Sequence, residues 1–362
     1  MQTRNRLREC RERRGISAAA LAREAGVSRQ TIYAMEAGSY VPNTTVALEL
    51  ARALEASVEE LFWLEGEAAA PQMEQARLLE HGQGSAPGQS VQLCRVGKQL
   101  IAVPVSPHPV YLPPADAVLV KVRAGSAHVR TFGAAAAAER RVLVAGCDPG
   151  ISVLARHLLE TGGVELIAAP GSSRQALQWL KEGLVHAAGT HLEDNDAAVA
   201  RLMRGLGYSM VTLGSWEQGL LTAPRNPKKI YTMKDLRRAD VRLINREPGA
   251  GSRDLLERLL REAKLSPERV RGWNDIAYGH LPAAWKVALG EADCCVATRS
   301  AAIAFGLHFM PLAVERYDLV MRRKQERHAG VKALLASLEE ASLRRKLEAL
   351  AGYDTRETGA MR

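Results

Sequence analysis

Between Arg141 and Ala263 the sequence repeats one local design three times: a short apolar run, a turn rich in Gly and Ser, then an amphipathic stretch. Arg141-Val-Leu-Val-Ala145 leads through Gly146-Cys-Asp-Pro-Gly-Ile-Ser152 into VLARHLLETGG. Val164-Glu-Leu-Ile-Ala168 leads through Pro170-Gly-Ser-Ser-Arg174 into QALQWLKEG, and Arg242-Leu-Ile-Asn245 leads through Arg246-Glu-Pro-Gly-Ala-Gly-Ser-Arg253 into DLLERLLREA. Strands alternating with helices in this way specify α/β architecture. Gly and Ser at a strand-to-helix turn let the backbone come close to a ligand, and the helix N-terminus attracts negative charge. Each turn alone is equally a plain turn former. Three in one domain favour convergence on a single anion. There is no GxxxxGK[ST] and no GxGxxG after a strand, so ATP and NAD are disfavoured.

At roughly 150 residues per domain, 362 residues suggest two or three domains. With 47% hydrophobic and 25% charged residues, the chain reads as globular, not disordered. No stretch reaches the roughly eighteen uncharged apolar residues of a membrane span. The N-terminus (MQTRNRLRECRERRG) lacks the apolar core of a signal peptide, so a cytoplasmic location and no membrane partner are expected. The five cysteines (Cys10, Cys94, Cys147, Cys294, Cys295) show no C-x-x-C pairing and read as free thiols. The net charge of +9 is weak evidence for a nucleic-acid partner, because the first 66 residues carry 9 Arg against 9 Glu and are neutral overall. Residues 1–40 hold 8 of those Arg against 4 Glu, which allows a basic face without a basic domain.

In that segment Ser17 is a natural cap for the helix AAALAREA, Gly26 stops it in a left-handed turn, and Ser28 caps the next helix, which runs to Ala37 and Gly38. Asn43 or Thr44 caps a helix through Leu54. Ser57 with Glu60 forms a capping box for a last helix through Leu61, Phe62 and Trp63. Ile32, Met35, Leu48 and Leu54 are expected in the core. The run Ala22-x-x-Ala25-Gly26-Val27-Ser28-Arg29-Gln30-Thr31-Ile32-Tyr33-x-Met35-Glu36-x-Gly38-x-Tyr40-x-Pro42, continued by Ala47-Leu48-x-Leu50-Ala51-x-Ala53-Leu54, closely resembles the five-helix Cro and repressor type (XRE family) of helix-turn-helix domain. The resemblance makes Ser28 to Ala37 the recognition helix. Ser28, Arg29, Gln30, Thr31, Tyr33 and Tyr40 are then the candidate DNA contacts. Arg29 and Gln30 can bond base edges in two places, and Tyr33 can reach a phosphate or a thymine methyl. Arg29 also reads as a simple phosphate contact.

Four regions emerge from the composition: a helical domain over 1–66, a tether over 67–90 rich in Ala, Gly, Gln, Pro and Ser, a short β-rich segment over 91–135, and an α/β domain over 136–362. No chemistry is assigned to the β-rich segment. In the last region, Gly146-Cys-Asp-Pro, His186-Ala-Ala-Gly-Thr-His-Leu192, Gln218-Gly-Leu220, Asn226-Pro227, Asn245-Arg-x-x-Gly-Ala-Gly-Ser-Arg253, Gly290-Glu-Ala-Asp293 and Glu315-Arg-Tyr-Asp-Leu319 resemble the periplasmic molybdate-binding-like domain. The chain is similar to bacterial regulators in which that domain comes after a helix-turn-helix. The resemblance implies a multidomain protein: an all-α helix-turn-helix domain plus a bilobed α/β periplasmic-binding-protein-like (type II) domain that closes over its ligand. Lobe one would take about 141–208 plus 316–352, and lobe two about 209–315.

Carried onto this chain, the resemblance places ligand contacts at Asp148, Ser172, Ser173 and Thr190 in lobe one and at Gly251, Ser252, Arg253 and Thr298 in lobe two. Hydroxyls and amides suit a tetrahedral oxyanion. Ser172 and Ser252 serve equally as helix caps, Arg253 as a surface partner of Asp254 or Glu257, and Asp148 as a cap that repels anions. An Arg often stands in the family where this chain has Trp216.

The expected function is a ligand-responsive one-component transcriptional regulator, acting as a homodimer or higher homo-oligomer on double-stranded operator DNA, with molybdate or tungstate as anionic effector and no cofactor. Alternatives are the same architecture sensing a small organic acid, or a C-terminal domain that only mediates assembly. His186, His191, Asp194, His280, Asp293 and Cys294-Cys295 supply the residue types of an enzyme, yet neither a triad order nor a metal-ligand spacing links them. No catalytic or metal site is therefore expected.

Overall fold

The computed structural model describes residues 3–54, 56, 58–64, 73–79, 87, 90–104, 114–123, 125–132 and 141–362. The chain divides into two compact units, an N-terminal one and the remainder.

The first unit runs β1 (Thr3–Asn5), α1 (Leu7–Arg13), α2 (Ala18–Glu24), α3 (Arg29–Glu36), α4 (Thr44–Ala53), α5 (Val58–Leu61) and β2 (Phe62–Leu64). The capping residues act as their chemistry dictates: the side-chain oxygens of Ser17, Ser28 and Asn43 accept from the amides of Ala20, Thr31 and Val46. Gly26 takes φ +65° between α2 and α3, a conformation that costs a side chain-bearing residue energy. Leu7, Leu21, Ile32, Met35, Leu50, Leu54 and Leu61 form the buried core, and the Arg11–Glu36 ion pair, 2.6 Å, ties α1 to α3. Two expectations are corrected. Leu48 is 57% exposed, because Ala47, Leu50 and Ala51 already define the inward face of α4. The last helix ends at Leu61, and Phe62–Leu64 instead pairs antiparallel with Thr3–Asn5. Ser57 of the expected capping box lies outside the described residues.

The second unit begins with a small closed barrel of five strands, β3 (Met73–Leu78), β4 (Ser90–Val96), β5 (Gln99–Pro104), β6 (Ala117–Arg123) and β7 (Ser126–Thr131), in the order β3-β5-β4-β6-β7. Strand β3 falls within the stretch expected as a tether, most of which lies outside the described residues. Its sequence, MEQARL, favours a helix, and pairing on both sides with β5 and β7 overrides that preference. Buried Arg141 fastens the barrel to the α/β region. Its guanidinium donates to both oxygens of Asp116 (2.5 and 3.0 Å), to the Leu93 carbonyl (2.9 Å) and to Glu165 (2.7 Å).

Beyond the barrel the order is β8 (Val142–Gly146), α6 (Gly150–Gly162), β9 (Leu166–Pro170), α7 (Ser173–Glu182), β10 (Ala187–Thr190), α8 (Asn195–Leu202), β11 (Tyr208–Thr222), β12 (Asn245–Arg246), α9 (Gly251–Glu262), β13 (Ile276–Ala277), α10 (His280–Ala288), β14 (Cys294–Thr298), α11 (Arg299–Ala304), β15 (His308–Arg322), α12 (Ala329–Leu338), α13 (Ala341–Glu348) and β16 (Tyr353–Asp354). Strands β9, β8 and β10 are parallel, β10 joins β15 antiparallel, and β14 pairs with the far end of β11. The two long strands β11 and β15 pair antiparallel along their length, with irregularities at Thr212/Gly214 and Gln218/Gly219. They run through both lobes, so the lobe boundaries expected at 208/209 and 315/316 fall at or inside strands that the lobes share. Val331, Leu334, Leu338, Leu343 and Leu347 of the terminal helices pack against Val142, Leu154 and Leu158 of lobe one. Lobe two has its own apolar clusters, built on Leu243, Leu256 and Val296 and on Ile244, Ala284 and Cys295.

Candidate functional site

On α3 the side chains of Arg29, Gln30 and Tyr33 are exposed while Ile32 and Met35 point inward, so the amphipathic period leaves one polar face for a partner. The Arg29 guanidinium donates to the Tyr33 hydroxyl from Nε (3.1 Å) and Nη2 (2.8 Å), which holds both side chains over the first turn. Ser28 lies beside Thr31, Oγ to Oγ1 2.8 Å, and Tyr40 stands exposed past the Gly38 turn.

In the second unit, loops from both lobes meet in a buried polar centre. Cys147 comes just after β8, His191 just after β10, Arg246 ends β12 and Glu247 begins the loop before α9, and His280 opens α10 after Gly279, which has φ +113°. Trp216 and Gln218 come from β11, and Glu315 and Tyr317 from β15. The lobes touch closely: a Cβ on Gly251 would stand 2.2 Å from the His191 carbonyl oxygen and 2.5 Å from its Nδ1. Outside this contact, Arg174 of lobe one pairs with Asp254 of lobe two at 2.6 Å, and Glu193 pairs with Arg258 at 3.0 Å.

The His191 ring is held from both sides. Its Nδ1 lies 2.8 Å from a Glu315 carboxylate oxygen, which also accepts from Gln218, and its Nε2 lies 3.5 Å from Cys147 Sγ. Burial alone would lower the His191 pKa, but Cys147 and Glu315 outweigh it and push it up to about 10. His280, its ring centroid 5.5 Å from that of His191, is held well below the usual value by burial and then by Arg246 and His191. Neither ring nitrogen of His280 has a hydrogen-bond partner among the described residues. Arg246 donates to both oxygens of Glu247 (2.8 and 3.0 Å), and although burial opposes its charge, Glu247 and Cys147 hold its pKa above the ordinary value. Asp148 accepts from Trp216 Nε1 (2.7 Å), the Gly150 amide (2.6 Å) and the Tyr353 hydroxyl, while burial still raises its pKa. The centre therefore combines three carboxyl groups with one guanidinium, two imidazoles and a thiol.

Residues 155–339 match the model of the PBP superfamily domain, and residues 4–64 match that of a helix-turn-helix domain. The chain belongs to the PBP superfamily. It is 32% identical to the uncharacterized protein YvgK of Bacillus subtilis over 60% of this chain and 72% of that one. It is 43% identical to the uncharacterized HTH-type transcriptional regulator YgzD of Bacillus subtilis over 17% of this chain and 96% of that one. Among solved structures, the tungstate ABC transporter from Geobacter sulfurreducens aligns with a TM-score of 0.46 at 15% identity, covering 58% of this chain and 99% of that one. The protein is thus a helix-turn-helix regulator with a PBP-like ligand-binding domain. No helix of the described residues is long and apolar enough to cross a membrane.

Within the PBP domain the ligand residues expected from the sequence sit at strand ends and helix starts on both sides of the interlobe contact. Ser172 caps α7 and Thr298 caps α11. Ser173 Oγ accepts from the His191 amide at 3.2 Å, and Thr190 Oγ1 donates to Asn195 at 2.9 Å. Ser252 Oγ is 3.5 Å from Arg246 Nη1. Arg253 pairs with Glu257 at 3.0 Å and lies over the Trp273 ring. Trp216 uses its indole N–H to hold Asp148. Sequence spacing does not reveal Cys147, Arg246, Glu247 or Glu315 as neighbours of His191 and His280. One signal is present: Cys147, His191 and His280 each come one or two residues after a glycine, at Gly146, Gly189 and Gly279.

Proposed function

We propose that this chain is a one-component transcriptional regulator in which a small ligand enclosed between the lobes of the PBP domain controls sequence-specific DNA binding by the helix-turn-helix domain. The observation that carries the reading is the buried polar centre assembled from loops of both lobes, joined through two shared strands whose irregularities offer hinge points. Ligand changes the equilibrium between open and closed lobes by its differential affinity for them. The DNA-binding surface is Ser28, Arg29, Gln30, Thr31, Tyr33 and Tyr40. A homodimer acting in the cytoplasm would place two recognition helices about 34 Å apart on a palindromic operator. The role is binding, not catalysis.

The effector is a small oxyanion, molybdate or tungstate, contacted by Asp148, Ser172, Ser173, Thr190, Gly251, Ser252, Arg253 and Thr298. Support comes from the sequence resemblance, from the Arg246 guanidinium beside these residues, and from the N-termini of α7 and α9, which favour negative charge. The test is thermal unfolding of the full chain with molybdate, tungstate, sulfate, phosphate and a panel of organic acids. An effector at 100 times its Kd stabilises by about 2.7 kcal/mol. The Ser172→Ala, Ser252→Ala double variant is expected to lose most of that shift. A response to organic acids alone would replace the effector class, and no response to any ligand would overturn ligand control.

A further inference from the structure

We propose that Cys147, His191 and His280 form a site for a thiophilic transition-metal ion of the Zn²⁺ type, which joins lobe one to lobe two. The inference rests on the closed arrangement of the lobes and not on the effector being an oxyanion. Cys147 Sγ and a nitrogen from each imidazole lie within 4.8 Å of one another. The Cys147 Sγ to His191 Nε2 distance is 3.5 Å. Zinc bonds of about 2.3 Å to sulfur and about 2.0 Å to nitrogen, at a tetrahedral angle, separate those two atoms by about 3.5 Å.

Three further observations fit a cation. The His191 ring presents Nε2 to the centre while Nδ1 is held by Glu315, the carboxylate–imidazole arrangement that orients metal-bound histidines. His280 is 1% exposed, yet neither of its nitrogens has a partner among the described residues, a costly condition for a purely structural histidine. The charge of Arg246 is matched by Glu247, with which it shares two hydrogen bonds, so this guanidinium leaves no unbalanced positive charge against an incoming cation. One thiolate and two imidazoles select a borderline-soft ion over Mg²⁺ or Ca²⁺, which prefer oxygen. Binding forms one metal–sulfur and two metal–nitrogen bonds. It releases the thiol proton of Cys147 and the Nε2 proton of His191 to solvent, while the Nδ1 proton stays on the Glu315 side. Three protein ligands leave a fourth position open, for water or for an oxygen of an anionic effector.

The experiment uses the full chain stripped with a chelator and then titrated with ZnCl₂, and in parallel with CoCl₂ monitored by absorption. One metal ion per chain is expected, with a thiolate-to-cobalt charge-transfer band and a zinc-dependent rise in Tm. Cys147→Ser abolishes the band and His280→Gln weakens zinc binding at least about 100-fold. Glu315→Gln, which keeps all three metal ligands but removes the carboxylate that holds His191, weakens it about 10- to 100-fold. Each variant is first checked for a wild-type-like unfolding transition without metal; should Cys147→Ser or His280→Gln fail to fold, Glu315→Gln and the wild-type cobalt spectrum still decide. Absence of stoichiometric metal on the wild type, or a cobalt spectrum without thiolate character, overturns the proposal. Protein that binds no zinc but shifts with an oxyanion loses the metal site and keeps the regulator. Protein that binds zinc while its operator affinity responds to no ligand keeps the metal site and loses the regulator.

Discussion

In the helix-turn-helix domain the candidate contacts Ser28, Arg29, Gln30, Thr31 and Tyr33 fall in one short run and reach solvent. The interlobe centre instead draws Cys147, His191, Arg246, His280 and Glu315 from separate loops and strands and removes most of their surface from water. In the first region one helix and its cap fix the distances among these five side chains, so their arrangement is local geometry. In the second, no two of the groups are near neighbours in the chain. Their distances depend on how two lobes close, and their charges depend on one another.

The contrast is tested by perturbing each region on its own. Arg29→Ala with Gln30→Ala should have the largest effect: each lost base contact costs about 1–3 kcal/mol. Operator affinity therefore falls roughly 30-fold or more, toward non-specific binding, in a mobility-shift or anisotropy assay, while ligand-induced stabilisation stays unchanged. Retained operator specificity would remove α3 from the role of recognition helix.

Gly251→Ala tests the other region. Its added methyl collides with the backbone and ring of His191, and overpacking of this kind costs about 1–3 kcal/mol. Affinity for the interlobe ligand should drop about 10- to 100-fold, with the thermal transition of the helix-turn-helix domain unaltered. Normal ligand affinity in this variant would mean that the bound state does not require the close approach of the lobes.

A smaller effect comes from pH. His186 is buried, accepts from the Leu143 amide at Nδ1, and is lowered to about 3 by burial and by His328 stacked on it. The unfolded chain takes up a proton near pH 6.5 and the folded chain does not. Stability from this residue is therefore complete above pH 6.5 and is lost as pH falls toward 3. Between pH 7.5 and 5.5 the PBP domain should lose roughly 1.4 kcal/mol from this source. His186→Asn, which keeps an acceptor for the Leu143 amide but cannot titrate, should flatten that part of the pH profile in denaturant unfolding. An unchanged slope would assign the pH dependence to other groups.

Legibility in the sequence divides along the same line. Ser17, Ser28, Asn43 and Gly26 announce the first domain, because caps and left-handed turns are chemistry between near neighbours. The three strand–loop–helix junctions announce the α/β domain for the same reason. Leu48 misleads because an apolar residue says nothing about which neighbours will already fill the core. Strand β3 is hidden because MEQARL becomes a strand only when β5 and β7 lie on either side of it. His191 and His280 are visible as residue types, but their partnership with Cys147 exists only after the lobes meet.

The closed lobes also set a clock. His191, Arg246, Glu247 and His280 are almost wholly sealed from solvent, so an occupant of the centre can leave only after the lobes part, and hinge openings of this kind take microseconds to milliseconds or longer. Each opening must also break the Arg174–Asp254 and Glu193–Arg258 pairs. Under the proposed ligand control, the residence time of an effector would be governed by the opening rate of the domain, and the DNA-bound state would track how long an effector has been scarce rather than its momentary concentration.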